Sequence, residues 1–88
     1  MFNIPNLTIT QSTTGIYRIV PHEGYALHNK IKDFEDDEGN LIRGYSTRGA
    51  TVASDYDFTQ TTIIDGYTAY GDRELFARPA EEVEGQIF

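Results

Sequence analysis

Hydrophobic and polar residues alternate with a period of two in short runs along most of the chain. Residues 7–10 alternate Leu or Ile with Thr, which is the pattern of a half-buried strand. Residues 16–20 place apolar side chains on both faces of a second strand. Later runs rich in Ile, Val, Thr and Tyr predict further short strands at residues 41–45, 51–53, 61–64 and 67–70.

A turn signal separates the second strand from the next apolar run. Residues 21–24 begin with Pro21 and end with Gly24. Proline is preset for an early turn position, and glycine accepts the backbone angles at the end of a turn. The pattern therefore predicts a hairpin in which residues 16–20 pair with residues 25–28.

Two stretches, residues 41–49 and 63–71, share a frame that runs apolar, Ile, any residue, Gly, Tyr, Ser or Thr, any two residues, Gly. Glycine inside a β-rich run is typical of a strand broken by a bulge or bend, so the frame predicts the same geometry at Gly44 and Gly66. Two partial copies do not make a stacked repeat, which needs about three units.

The C-terminal quarter carries the helix signals of the chain. Asp72 is placed to cap a short helical turn over residues 73–77, which Pro79 would end, and residues 80–83 predict another turn. Neither turn is long enough to be stable without packing. The apolar residues near the end, Ile87 and Phe88, are expected to pack as an edge strand or in a partner's groove.

Length and composition favour one small β domain. The 88 residues leave room for a single domain, residues 1–88, and the absence of cysteine excludes disulfides and thiolate metal sites. The predicted fold class is mainly β: a small antiparallel sandwich or partly open barrel, with at most a short helical turn near the C-terminus.

Charge narrows the expected partners. Acids outnumber bases by 14 to 7, and residues 33–88 hold thirteen of those acids. Binding to nucleic acid needs clustered Lys and Arg, so we expect no direct nucleic-acid contact. The start of the chain lacks signal-peptide features, and no run approaches the ~20 apolar residues of a membrane span. We therefore expect no membrane association and a soluble protein in the host cytoplasm or the virion.

An acidic run occupies residues 33–38 and predicts an exposed connection that leads into the strand at residues 41–45. Placing Gly39 at the sixth position of an EF-hand loop would put Phe34 where an acidic ligand is required, so that motif fails. We assign the run as a candidate acidic patch, formed by Asp33, Glu35, Asp36, Asp37 and Glu38.

The residues do not compose a catalytic or metal-binding motif. None of the serines lies in a nucleophile-elbow or Ser-x-x-Lys context, and His22 and His28 lack a third ligand. Residues 55–58 alternate aspartates with aromatic residues, which indicates a strand with one wet and one packed face. We predict no enzyme activity, no catalytic residues, no metal and no cofactor.

Tyrosine is abundant for a core of this size. The chain has six tyrosines, and tyrosine is enriched at protein interfaces because it is large, stiff and amphipathic. We therefore predict a contact surface for a protein partner or a homo-oligomer, with these candidate residues: Tyr25, Tyr45, Tyr67, Tyr70 and Phe88.

In residues 17–29, 44–47 and 54–58 the chain resembles small uncharacterised proteins encoded in bacteriophage and prophage genomes. That resemblance implies a viral accessory or structural protein and no particular activity. Our leading hypothesis is a non-enzymatic phage-type protein, a virion or tail component or a homo-oligomer, that works by protein contact. Two alternatives stay open: an acidic inhibitor that mimics nucleic-acid charge against a host protein, and a small carbohydrate-binding module.

Overall fold

Most of the alternating runs form short strands. The structure is a computed structural model that describes residues 3–88. Within that range the strands are β1 (Leu7–Gln11), β2 (Tyr17–Pro21), β3 (Tyr25–His28), β4 (Phe34–Glu35), β5 (Leu41–Ile42), β6 (Tyr45–Ser46), β7 (Ala50–Val52), β8 (Thr61–Ile64), β9 (Tyr67–Tyr70) and β10 (Phe76–Pro79).

These strands form small antiparallel sheets. Sheet A has the order β1-β2-β7, and sheet B has the order β10-β3-β6. The remaining strands pair two by two, β4 with β5 and β8 with β9. The predicted fold class, a mainly β single domain built from antiparallel strands, is confirmed.

The core follows from the alternation. Leu7 and Ile9 of β1 are buried beside Ile19 of β2, while the intervening threonines of β1 face solvent. A second buried cluster lies between sheet B and the β8–β9 pair, and it includes Tyr45 and Phe76. Aromatic rings supply much of this packing, as expected for a small domain without Trp.

The hairpin predicted from residues 16–20 and 25–28 is wrong. A turn is present, since the Tyr25 amide donates to the His22 oxygen at 3.0 Å. However, β2 pairs with β1 and β7, whereas β3 pairs with β10 and β6. The turn therefore carries the chain from sheet A into sheet B, because each strand buries its side chains against a different set of neighbours.

The helical turn predicted for residues 73–77 is also wrong. Glu74 has a φ of 54°, which is outside the helical region, and the Tyr70 amide donates to the Leu75 oxygen at 3.0 Å in a β-bridge. Leu75, Phe76 and Ala77 are all buried, a run that suits a strand between two layers.

Helical structure is limited to three-residue 3-10 turns in the described range. Ala80–Glu82 agrees with the turn predicted at residues 80–83, and further turns occur at Lys30–Lys32 and Glu84–Gln86. Within residues 3–88, no helix has the length and apolar character needed to cross a membrane.

The two shared frames have different geometries. In the first, the strand ends at Ile42, and β5 and β6 belong to different sheets. Gly44 is required between them because a Cβ there would lie 2.1 Å from the Lys32 oxygen. In the second, Asp65 and Gly66 have φ values of 50° and 86° and form the type I′ turn of the β8–β9 hairpin. The prediction of one common bend is therefore wrong.

Candidate functional site

The structure separates the residues predicted to form one contact surface. Tyr45 is 1% exposed, so its side chain cannot contribute to a surface; it is buried because β6 lies between β3 and the C-terminal segment. Tyr25 is half-buried in the pairing of β3 with β10. Phe88 is 57% exposed, and its ring meets that of Phe34 with centroids 4.6 Å apart.

Tyr67 and Tyr70 are the predicted contact residues that the structure brings together. Both lie on β9 and line a cavity of about 240 Å³ between β9 and β10. The Tyr67 ring stacks on Phe76 at 5.6 Å, and the Arg78 guanidinium lies 5.1 Å from the Tyr67 ring centroid. Ligand pockets usually exceed about 300 Å³, so this cavity is small for a ligand site.

The turn geometry fixes which backbone groups of β8 point outward. In a two-residue hairpin the flanking residues, Ile64 and Tyr67, form a hydrogen-bonded pair, and such pairs then alternate along the strands. The Gly71 amide donates to the Gln60 oxygen at 2.7 Å, in keeping with that alternation. Consequently the N–H and C=O groups of Thr61 and Ile63 point away from β9.

These outward groups lie on an edge without a partner strand. A single bridge from Tyr70 to Leu75 joins β9 to the segment before β10, but β8 and β9 remain a two-stranded sheet of their own. The β6 edge of sheet B is covered, since the Phe88 amide donates to the Tyr45 oxygen at 2.9 Å. No strand within residues 3–88 pairs with the outer side of β8.

The side chains of β8 leave this edge accessible. Ile63 is 67% exposed, and Thr61 and Thr62 are exposed beside it. Residues 58–64 carry no charge, although the chain has a net charge of −7. Edge strands are usually protected by lysine, proline or a bulge, and β8 has none of these.

The next charge along the chain, Asp65, is already compensated. Its carboxylate contacts the guanidinium of Arg43, and the Arg78 guanidinium lies 3.4 Å away. The uncharged edge is therefore flanked by an ion-paired aspartate and not by a free one.

Strand β1 is also an edge, but it differs in two respects. Its exposed side chains are polar, since Leu7 and Ile9 are buried and Thr8 and Thr10 face outward. It also belongs to a three-stranded sheet, whereas β8 belongs to a pair, and an isolated two-stranded hairpin is only marginally stable.

No protein-family model, curated protein or solved structure matches the chain.

The acidic run is not one exposed connection. Phe34–Glu35 forms β4 and pairs with β5, and the Gly44 amide donates to the Asp33 carboxylate at 2.8 Å. The Asp33 carboxylate also lies 3.7 Å from Nε2 of the buried His28. Asp33 therefore has a structural role and does not belong to a solvated patch.

Asp36 holds the turn between β4 and β5. Its carboxylate accepts from the amides of Glu38 and Asn40, each at 2.9 Å, and these bonds lower the pKa of Asp36, the Asn40 amide most of all. The exposed carboxylates that remain are those of Glu35, Asp37 and Glu38. Within this run, a surface that mimics nucleic-acid charge would have these three carboxylates to use, beside exposed acids later in the chain such as Asp55 and Asp72.

The aspartates and aromatics of residues 55–58 separate as predicted, but not on a strand. Phe58 is buried, and its ring meets that of Tyr56 at 4.8 Å, while both aspartates are exposed in a segment of turns. The hydrogen bond from the Thr59 hydroxyl lowers the pKa of Asp57, and the bond from the Thr59 amide at 2.9 Å lowers it further. Among residues 3–88, no group of three or more His, Asp or Glu side chains is arranged to hold a metal ion.

Sequence reasoning found β8 as a strand but missed its role as an edge. Ile63 was not among the predicted contact residues, because a run of Thr and Ile is equally typical of a central strand. The available signal was the uncharged stretch at residues 58–64 placed before Asp65 and Gly66, a dipeptide typical of two-residue hairpin turns.

Proposed function

We propose that this chain is a non-enzymatic accessory or structural protein of phage type that acts by protein contact, in the host cytoplasm or the virion. Its contact site is the outer edge of β8, to which an extended protein segment adds as a third strand. The observation that carries this proposal is the pair of residues Thr61 and Ile63, whose backbone groups point away from β9 and have no other strand beside them within residues 3–88.

Strand addition fits this edge because the backbone supplies affinity and the side chains supply selectivity. Each new hydrogen bond contributes about 0.5–1.5 kcal/mol net, because water already solvates the free groups. Ile63 adds to this in proportion to the apolar surface that the new strand covers, at about 25 cal/mol per Å². The edge is thus suited to a contact of moderate strength that gains from several neighbouring bonds.

A buried histidine fixes the loop that precedes β10. Nδ1 of His28 donates to the Glu74 oxygen at 2.7 Å, and the His28 ring stacks on Phe76 with centroids 4.8 Å apart. The most buried histidine of the described residues therefore holds the loop before β10 in place.

The test uses a short, uncharged, end-capped peptide of alternating Thr and Val as a strand probe. It is titrated into the isotope-labelled protein while backbone amide resonances are followed. We expect saturable shifts centred on Thr61 and Ile63, with the amides of Ile9 and Gln11, which point outward from β1, unchanged. Equal shifts in β1, or no shift in β8, would overturn the proposal.

Thr61→Pro is the matched variant for this titration. It removes one outward N–H without removing a bond of the hairpin, and proline is tolerated on edge strands. We expect weaker peptide binding with an unchanged spectrum for sheet A. Gln11→Pro is the control, since Gln11 is exposed on the edge strand β1 and its N–H points away from β2; this variant should bind the peptide as the parent chain does.

A further inference from the structure

We propose that the strand received by β8 is β8 of a second copy of this chain, so that two copies pair antiparallel about a twofold axis at Thr62. This inference rests on the proposed function and names its partner. The two hairpins then form one continuous four-stranded sheet. That assembly provides the third strand that the β8–β9 pair lacks in the described structure.

The register follows from which backbone groups are free. With the axis at Thr62, Thr61 of each copy faces Ile63 of the other, and all the outward N–H and C=O groups of both residues are paired. An axis at Thr61 would bring Thr59 opposite Ile63, but the Thr59 amide already donates to Asp57 at 2.9 Å. An axis at Ile63 would require Asp65, which lies in the turn with a φ of 50°.

The side chains are compatible with this register. Thr62 would face its own counterpart in a non-hydrogen-bonded pair, and paired threonines are favourable across antiparallel strands. Ile63, 67% exposed in the single chain, would lie opposite Thr61 and pack against its side chain. No pair places like charges together, because residues 58–64 are uncharged.

Charge also explains why two copies would meet at this edge. Each chain has a net charge of −7, so most orientations bring acidic surfaces together. Residues 58–64 are uncharged, the neighbouring Asp65 is paired with Arg43 and Arg78, and Lys30 lies with Asp72 and Glu74 in the cavity beside Thr61 and Thr62. The dimer should therefore strengthen as salt screens the remaining repulsion, the reverse of what a contact driven by opposite charges would show.

A disulfide trap tests the register directly, because the chain contains no cysteine. In a non-hydrogen-bonded antiparallel pair the Cα atoms lie about 4.5 Å apart, within the range that a disulfide spans. Thr62→Cys should therefore give an oxidised dimer. Thr61→Cys should not, since an offset of two residues at about 3.4 Å each and the strand spacing separate its Cα atoms by about 8 Å.

Thr8→Cys, an exposed threonine on β1, reports random collision at the same protein concentration. Sedimentation of the unmodified chain should show a dimer that dissociates on dilution. Thr61→Pro should raise its dissociation constant about tenfold or more, since it removes half of the new backbone bonds.

The outcomes separate the two proposals. If the chain sediments as a monomer at every concentration and Thr62→Cys crosslinks no faster than Thr8→Cys, the dimer is overturned. The proposed function then still stands if the strand probe binds at Thr61 and Ile63, and it falls if the probe does not bind. Preferential crosslinking of Thr62→Cys supports the dimer even if Thr61→Pro does not fold.

Discussion

The hydroxyl of Tyr56 donates a hydrogen bond of 2.7 Å to the backbone oxygen of Tyr70, the last residue of β9. It also accepts from the Arg73 amide at 3.3 Å. One tyrosine thus fastens the loop after β7 to the chain segment where β9 turns toward β10. That segment also carries the bridge that joins β9 to the residue before β10.

Removing this hydroxyl should destabilise the fold. We expect Tyr56→Phe to lower the free energy of unfolding by about 1–2 kcal/mol, because the Tyr70 oxygen and the Arg73 amide both lose a partner. Chemical denaturation measures the change. Tyr25→Phe is the control, since the structure records no hydrogen bond from its hydroxyl to any residue in the range 3–88. Equal effects of the two substitutions would contradict this role for Tyr56.

Alkaline pH should destabilise the protein through Tyr45 and Tyr56. Burial raises the pKa of both above the ordinary value of 10.0, and the effect of Arg78 on Tyr45 and of the Arg73 amide on Tyr56 only partly opposes it. The unfolded chain therefore loses these protons first. The stability from the neutral hydroxyls is fully present below pH 10 and is lost as pH rises through the folded pKa values.

Denaturation midpoints between about pH 9 and about pH 11 test this expectation. The decline should be shallower in Tyr45→Phe than in the parent chain, because that variant has one fewer buried group to ionise. An identical decline in both would show that Tyr45 titrates as an exposed tyrosine.

Glycine is required at position 71 by its backbone angle and by the nearby Tyr56 ring, and at position 66 by its backbone angle alone. Gly71 has a φ of 74°, and a Cβ there would lie 2.2 Å from the Tyr56 ring. Gly66 has a φ of 86° with open space around it. Gly66→Ala should cost about 1–2 kcal/mol for the left-handed backbone, and Gly71→Ala should cost more because the Tyr56 ring must also move. Thermal unfolding of the two variants gives the comparison.

Asp36 should make the β4–β5 hairpin sensitive to acid. Its pKa is lowered in the folded chain, so the stability that it provides is present above pH 3.8 and is lost as pH falls through the folded pKa. Asp36→Ala should therefore increase hydrogen exchange at the Glu38 and Asn40 amides near neutral pH. Asp37→Ala, which changes an exposed neighbour, should leave that exchange unchanged.

Local patterns predicted most strands but not their partners. The run at residues 7–10 became β1 because alternation alone decides which of its side chains are buried. The turn predicted at residues 21–24 is also present. However, a turn of this kind can join two strands of one hairpin or connect two different sheets, and its sequence does not distinguish the two. The choice depends on β10, which pairs with β3 from about fifty residues away: Leu27 faces Ala77.

The helix signal at residues 73–77 failed for a comparable reason. Asp72 and the residues after it satisfy local helix rules, but Leu75, Phe76 and Ala77 are buried between layers that the sequence does not reveal. The edge at Ile63 could not be predicted because being an edge depends on which strands are missing beside it. The burial of Tyr45 depends on the C-terminal segment, which lies over β6. Because the local sequence around Tyr45 does not indicate that contact, Tyr45 was predicted to lie at the surface.

The long separation between β3 and β10 also constrains how the protein is made. As the chain leaves the ribosome, β1 and β2 can pair at once, whereas β3 must wait for residues 76–79. Until then Ala26 and Leu27, both fully buried in the finished domain, stay uncovered. Distant pairings of this kind slow folding and expose apolar surface during synthesis. Sheet B is therefore completed only after residues 76–79 have been synthesised, and the nascent chain is most prone to aggregate just before that step.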